Sequence, residues 1–252
     1  MKSSKLVAGT LAVLLFGTLF AGAALAVQSS AQEMPEESEV GTEFEATFEI
    51  DDLFDEFNTW TLTAETELEN ATWTVRQYDQ GGSEISREET DGSEATEAID
   101  IDDGTATVEV RVTGTTPELR NLSYDPPDQF VVANFTQTRE GGTDREIATH
   151  GTHYFTAESK EARQAIDSAR AAVEASGDDD AESSLNSAIS AYENGNFENA
   201  IGLAERAEDE AEQSQLVRTG LMVGGAVVVV ALLAGVGYRV YKSRKKGPSR
   251  LK

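Results

Sequence analysis

The sequence predicts a mainly β-sandwich protein with a small α-helical bundle and one C-terminal transmembrane helix. Apolar and polar residues alternate with period two from residue 42 to about residue 155, which is typical of half-buried strands. The period then changes to helical spacing. Residues 219–238 form an uncharged apolar stretch that is long enough to span a bilayer as a helix.

These changes of pattern divide the 252 residues into six segments. They are a signal peptide (1–26), an acidic tether (27–41), a β-sandwich domain (42–156), a three-helix bundle (157–215), a transmembrane helix (219–238) and a basic cytoplasmic tail (239–252).

The first segment has the three parts of a secretory signal. Lys2 and Lys5 precede an apolar stretch, and Ala24, Leu25 and Ala26 form a small-x-small end. Cleavage is expected after Ala26. The apolar part is long for a signal, about 20 residues, so an uncleaved anchor remains the alternative.

The last two segments predict how the chain is oriented. Residues 239–252 carry seven basic residues and no acidic one, and positive flanks of a membrane span stay in the cytoplasm. The expected location is therefore the cell membrane, crossed once, with the N-terminus outside and the C-terminus in the cytoplasm. The membrane is accordingly an expected partner.

Charge excludes one class of partner and indicates a salt-rich environment. Acidic residues number 46 against 20 Lys and Arg, and the net charge of −26 argues against nucleic-acid binding. All 46 acidic residues lie in 27–218, where Lys160 is the only lysine. This composition resembles that of proteins from salt-loving archaea. The chain has no cysteine, which excludes disulfides and cysteine-ligated metals.

Five runs in the sandwich region have the alternation of strands, with their predicted inward residues separated by polar ones. The inward residues are Phe44, Ala46, Phe48 and Ile50; Trp60, Leu62 and Ala64; Ala71, Trp73 and Val75; Val108, Val110 and Val112; and Val131, Ala133 and Phe135. Seven to nine short strands are expected. In size and pattern the region resembles the immunoglobulin and fibronectin-III class of sandwiches, without the Cys…Trp…Cys spacing of true immunoglobulin domains.

The helical region shows three amphipathic runs. Ala162, Ile166, Ala169 and Val173 share one helix face, and the helix is expected to end at Gly177. The pattern from Ala188 through Tyr192, Gly195 and Phe197 to Ala207 resembles the turn and second helix of a tetratricopeptide repeat. It occurs once, so a small three-helix bundle is expected rather than a solenoid.

Three sites match the N-glycosylation acceptor, at Asn70, Asn121 and Asn134. Asn134 falls on the outward phase of its strand. Three of the four asparagines of the sandwich region lie in such sites, against none of four in the helices. The sequence therefore predicts a glycosylated surface.

No pattern predicts a catalytic or metal site. His150 and His153 are three residues apart, which sends them to opposite faces of a strand. Asp100, Asp102 and Asp103 lack the spacing of a calcium loop. We expect no cofactor and no enzyme, but a surface protein for envelope structure, adhesion or recognition, with a protein or glycan partner. The alternative is an accessory subunit of a membrane transport or secretion complex.

Overall fold

The structure is a computed structural model that describes residues 26–139 and 141–217. In these ranges ten strands form two packed β sheets, and three helices follow. The strands are β1 (Gln28–Glu33), β2 (Glu37–Glu39), β3 (Glu43–Asp51), β4 (Thr59–Glu65), β5 (Glu69–Tyr78), β6 (Glu84–Asp91), β7 (Glu94–Asp100), β8 (Thr107–Thr115), β9 (Gln129–Thr138) and β10 (Arg145–Phe155). The helices are α1 (Ala157–Ser176), α2 (Asp179–Glu193) and α3, which covers residues 197–217.

Two five-stranded sheets enclose the larger core. Sheet A has the strand order β1-β3-β8-β5-β6, and sheet B has the order β2-β10-β9-β4-β7. Alternate side chains of β3, β4, β5 and β8 enter the space between the sheets, as the period of two requires. The rings of Phe48 from sheet A and Phe135 from sheet B meet there edge to face, with centroids 5.3 Å apart. Trp73 and Ile99 are fully buried in the same cluster.

One predicted strand changes phase within its length. We expected Val131, Ala133 and Phe135 of β9 to face inward and Val132 outward. In the structure Val132 and Ala133 are both fully buried. The register with β10 shifts at this point, passing from Ala133 to Val131. A bulge places two successive residues on one side, because the extra residue interrupts the alternation.

The acidic tether predicted over 27–41 is wrong, because this segment contains β1 and β2. The former pairs with β3, and the latter pairs in parallel with β10. Ser38 of β2 is buried and its hydroxyl is 2.7 Å from that of Thr116. Pairing at a sheet edge uses backbone groups and needs no apolar alternation, which is why the polar sequence concealed both strands.

The helices begin and end at residues with clear local causes. Thr156 and Ser159 form a capping box at the start of α1, and Gly177 ends the helix with φ 62°, a conformation that glycine tolerates. Asp178 caps α2. The predicted inward face of α1 is correct, since Ala162, Ile166, Ala169 and Val173 are all buried against α2 and α3.

The described residues do not contain the expected membrane-spanning helix. Within 26–139 and 141–217, no helix combines the length and hydrophobicity that a bilayer crossing needs. The described helices carry acidic residues on their outer faces, which makes them amphipathic. Segment 219–238 lies outside the described residues, as do the tail over 239–252 and the signal peptide apart from Ala26. The structure therefore gives no support to the predicted single-pass location in the cell membrane.

Candidate functional site

The outer surface of sheet B carries a group of uncharged side chains. Trp60, Leu62 and Ala64 of β4 point into the core and are at most 3 % exposed, so Thr61 and Thr63 point outward. The registers of β4 with β7 and β9 place further small residues beside them. We name this surface the threonine face; it consists of Thr61, Thr63, Thr96, Ala98, Thr136 and Thr138.

Hydroxyl groups dominate the threonine face. Thr63 lies opposite both Thr96 and Thr136, and Thr61 lies opposite Thr138. Directly opposed residues have Cβ atoms about 4.5–5.5 Å apart, so the five threonines form a closely spaced array. None of these five hydroxyls bonds to another group in the described part of the chain. They are free to hydrogen-bond a partner.

Charges surround the threonine face rather than enter it. Glu65, Glu94 and Asn134 form the neighbouring row at one end, and Asp100 lies beside Thr59 at the other. A charge-depleted centre with a polar rim is the arrangement found in protein interfaces.

Sheet A has a different outer surface, which is crossed by ion pairs. Arg76 Nη1 lies 2.7 Å from Glu109 Oε1, and Arg111 pairs with Glu45. Glu49 lies directly opposite Glu109. Burial raises the pKa of the Glu49 carboxyl, and the neighbouring carboxylates add to the rise. The two sheets therefore differ in chemistry although both belong to an acidic protein.

The two histidines have separate contacts. The His150 ring centroid is 4.7 Å from that of Phe48, and its Nε2 is 3.0 Å from Ser29 Oγ. Burial lowers the pKa of His150. His153 Nδ1 lies 3.3 Å from the carbonyl oxygen of Asp128. No contact joins the two rings, and each ring has a partner that explains its position.

The aspartates before Gly104 form a strand-connecting turn. Asp100 accepts a hydrogen bond from the Asp102 backbone N–H at 2.9 Å, and Gly104 ends the turn with φ 78°. Among the described residues, no three His, Cys, Asp or Glu side chains are grouped in a way that could hold a metal ion.

The three predicted glycosylation sites lie in different environments. Asn134 donates through Nδ2 to Glu65 at 3.2 Å and accepts from Thr149 at 3.0 Å, so its amide is already engaged on β9. Asn70 is exposed, with φ 51°, where the register of β5 with β8 shifts. Asn121 is exposed in the loop between β8 and β9. Of the three, Asn121 is the best placed for modification.

That same loop, residues 116–128, joins the sandwich to the helices through Tyr124. This tyrosine is 2 % exposed and belongs to the helical core cluster. Its hydroxyl donates to the carboxylate of Asp167, and its ring meets that of Tyr192 at 6.0 Å. The guanidinium groups of Arg163 and Arg170 lie 4.8 and 4.6 Å from the ring centroid. Burial raises the pKa of Tyr124 to about 12, and the bond to Asp167 adds to the effect.

Sequence reasoning identified the outward phase of Thr61 and Thr63 but missed the threonine face. The Thr-x-Thr pairs at 61–63 and 136–138 were the available signal, since each puts two hydroxyls on one strand face. The role of Tyr124 had no local signal, because it stands in an irregular loop among polar residues.

No protein family and no curated protein matches the sequence. Solved structures align with parts of the chain. Spo0M, a sporulation control protein from Bacillus subtilis, is 11% identical, covers 56% of this chain and 54% of its own, and has a TM-score of 0.30. A mutant of the SrpA adhesin from Streptococcus sanguinis is 19% identical, covers 54% of this chain and 61% of its own, and has a TM-score of 0.24.

A cohesin module of a glycoside hydrolase from Clostridium perfringens is 14% identical, covers 52% of this chain and 97% of its own, and has a TM-score of 0.25. The chain spans about half the length of Spo0M. These similarities are too weak to indicate a function.

Proposed function

We propose that the protein is a non-catalytic recognition module whose sandwich binds a protein partner through the threonine face. The observation that carries the proposal is an uncharged array of five unpaired threonine hydroxyls in a chain with 46 acidic residues. A partner docking there would bury no carboxylate at the centre of the interface, and so would avoid the largest desolvation cost.

The shape of the surface favours a protein over a small ligand. The threonine face covers three neighbouring strands of one sheet and is open, whereas small-molecule sites are concave. The array forms only the centre of an interface, because a standard one buries about 800 Å² on each partner. The charged rim with Glu65, Glu94 and Asp100 would then provide specificity.

Tyr124 supports the proposal by making the sandwich and the helices one unit. A rigid attachment lowers the entropy lost when a partner binds, because the docking face does not move relative to the helices. The expected roles in envelope structure, adhesion or surface recognition are uses of such a module.

A crosslinking experiment tests the proposed face against a matched position. A photoreactive residue would replace Thr63 in the full chain, expressed in its native host, and Thr74 would serve as the control. Both threonines point outward from a strand that lies next to the edge strand of its sheet. They differ in their neighbours, because Thr74 lies opposite Glu89 and Arg111. We expect one discrete adduct from position 63 that Thr136→Glu abolishes. Equal adducts from both positions, or none from position 63, would contradict the proposal.

The second candidate, an accessory subunit of a larger complex, is favoured by a different surface. A groove of about 780 Å³ runs between α2 and α3, lined largely by serine and asparagine. Asn186 and Ser183 lie in it, and neither side chain bonds to another described group. A photoreactive residue at Asn186 would give the discrete adduct in this case, and position 63 would not.

A further inference from the structure

A small cavity lies where the sandwich meets the helices, away from the threonine face. Its volume is about 150 Å³. Five side chains supply apolar wall: Leu119, Leu122 and Pro127 from the loop over residues 116–128, Phe155 from β10 and Tyr192 from α2. Engineered apolar cavities of about this size bind molecules as large as benzene, so the volume suits one compact organic ligand.

Most polar groups of the cavity already have partners. Lys160 pairs with Glu37 and lies 4.0 Å from the Phe155 ring centroid. Asp128 accepts a hydrogen bond from the Ser123 backbone N–H at 2.9 Å. The ammonium group of Lys160 neutralises Glu37, which lowers the repulsion that a second anion in the cavity would meet.

Arg163 differs from these groups because most of the donors of its guanidinium group have no partner. It lies in the cavity wall, is half-buried, and donates from Nη2 to the carbonyl oxygen of Tyr124 at 2.7 Å. Within the described residues no carboxylate lies within 4.0 Å of its guanidinium group, although acidic residues outnumber basic ones by 46 to 20. A guanidinium has five donors in a planar fork that matches a carboxylate, and only one of them is used here.

We propose that this cavity binds a small carboxylate with a compact apolar body. The carboxylate would pair with Arg163 while the body fills the space between Leu119, Leu122 and Phe155. Both features are needed, because the wall combines apolar side chains with the guanidinium group of Arg163, most of whose donors are unused. The inference does not depend on the threonine face, and either can fail without the other.

Benzoate and benzamide are the probes, since they have similar shape and differ in charge. Binding to the full chain would be measured by calorimetric titration at constant ionic strength. We expect saturable benzoate binding and at least tenfold weaker benzamide binding. Arg163→Gln should weaken benzoate binding at least tenfold, about 1.4 kcal/mol, because it removes the charged donors that pair with the carboxylate.

Arg170→Gln is the matched control. Its guanidinium group also lies over the Tyr124 ring but takes no part in the cavity wall, so benzoate binding should change less than twofold. Leu119→Trp fills the cavity and keeps Arg163, so it should block binding even if Arg163→Gln disturbs the fold. Failure of benzoate to saturate, equal binding of benzamide, or unchanged binding in Arg163→Gln or Leu119→Trp would overturn the proposal.

The same chemistry could come from a free acid or from the C-terminus of a peptide. A short peptide ending in phenylalanine would be titrated as the acid and as the amide. Binding of the peptide acid in addition to benzoate, with none by the amide, identifies a chain terminus as the source. Binding of benzoate without the peptide acid identifies a free small acid. Either result supports a carboxylate site.

Discussion

Replacing Tyr124 with alanine is expected to uncouple the sandwich from the helices. The residue belongs to the loop between β8 and β9, yet its side chain is buried in the helical cluster with Tyr192 and Ala162. Without the ring, Arg163 and Arg170 lose the group that both guanidiniums contact. The wild-type protein should unfold in one transition and the alanine variant in two.

The magnitude follows from what each substitution removes. Tyr124→Phe keeps the ring and loses the hydroxyl bond to the carboxylate of Asp167, which costs about 1.5–3 kcal/mol. Tyr124→Ala also loses the buried ring, at about 3–5 kcal/mol by analogy with other aromatic truncations. For a protein of this size, each kcal/mol of lost unfolding free energy lowers the thermal midpoint by about 2–4 °C. Tyr124→Phe should therefore lower the midpoint by about 3–12 °C.

Alkaline titration gives a second readout of the same residue. The pKa of Tyr124 is raised to about 12 in the folded state, above the ordinary value of 10.0. The folded state therefore favours the protonated phenol, and this part of the stability is present below pH 10 and is lost as the pH rises towards 12. Tyr124→Phe should flatten that loss.

Scanning calorimetry in molar salt measures the number of unfolding transitions and the shift of the thermal midpoint. Tyr78→Ala is the control. Tyr78 is a partly exposed residue of β5 and lies outside the helical cluster. The control should keep a single transition. If Tyr124→Ala also unfolds in one transition, with a shift no larger than that of the control, the coupling role of Tyr124 is refuted.

Four further predictions concern stability and modification. Burial lowers the pKa of His150, so stability present above its ordinary value of 6.5 should fall as the pH drops through the folded-state value. His150→Phe should reduce this acid loss in thermal melts, and an unchanged loss would contradict the reasoning. Gly114→Ala should lower the free energy of unfolding by about 1–3 kcal/mol in denaturant titration, because its Cβ would lie 2.9 Å from a neighbouring side chain. Gly202→Ala, in open space on α3, should raise it by up to about 1 kcal/mol. A change of the same sign in both variants would contradict this reasoning. The thermal midpoint should rise from dilute buffer to molar salt, since screening weakens repulsion among the acidic residues, and an unchanged midpoint would refute the salt-adapted interpretation. In protein from the native host, mass spectrometry should find glycan on Asn121 and none on Asn134; the reverse pattern would show that the amide contacts of Asn134 do not protect it.

Local periodicity accounts for the elements that the sequence predicted correctly. The outward phase of Thr61 follows from its neighbours Trp60 and Leu62, because adjacent side chains of a strand take opposite faces. The buried face of α1 and its end at Gly177 follow from helical spacing and from the conformational freedom of glycine. These features depend on residues that are close together in the sequence.

Pairing between distant strands accounts for what the sequence did not show. The threonine face exists because β4 lies between β7 and β9 in one particular register, and a shift of one residue would send Thr136 to the core side. β1 and β2 form because partner backbones come within reach, and Tyr124 is buried because α1 and α2 lie across its loop. Alternation, helical spacing and charge are therefore properties of the sequence itself. The threonine face and the cavity at Arg163 belong to the tertiary structure, since each joins residues from segments far apart in the chain.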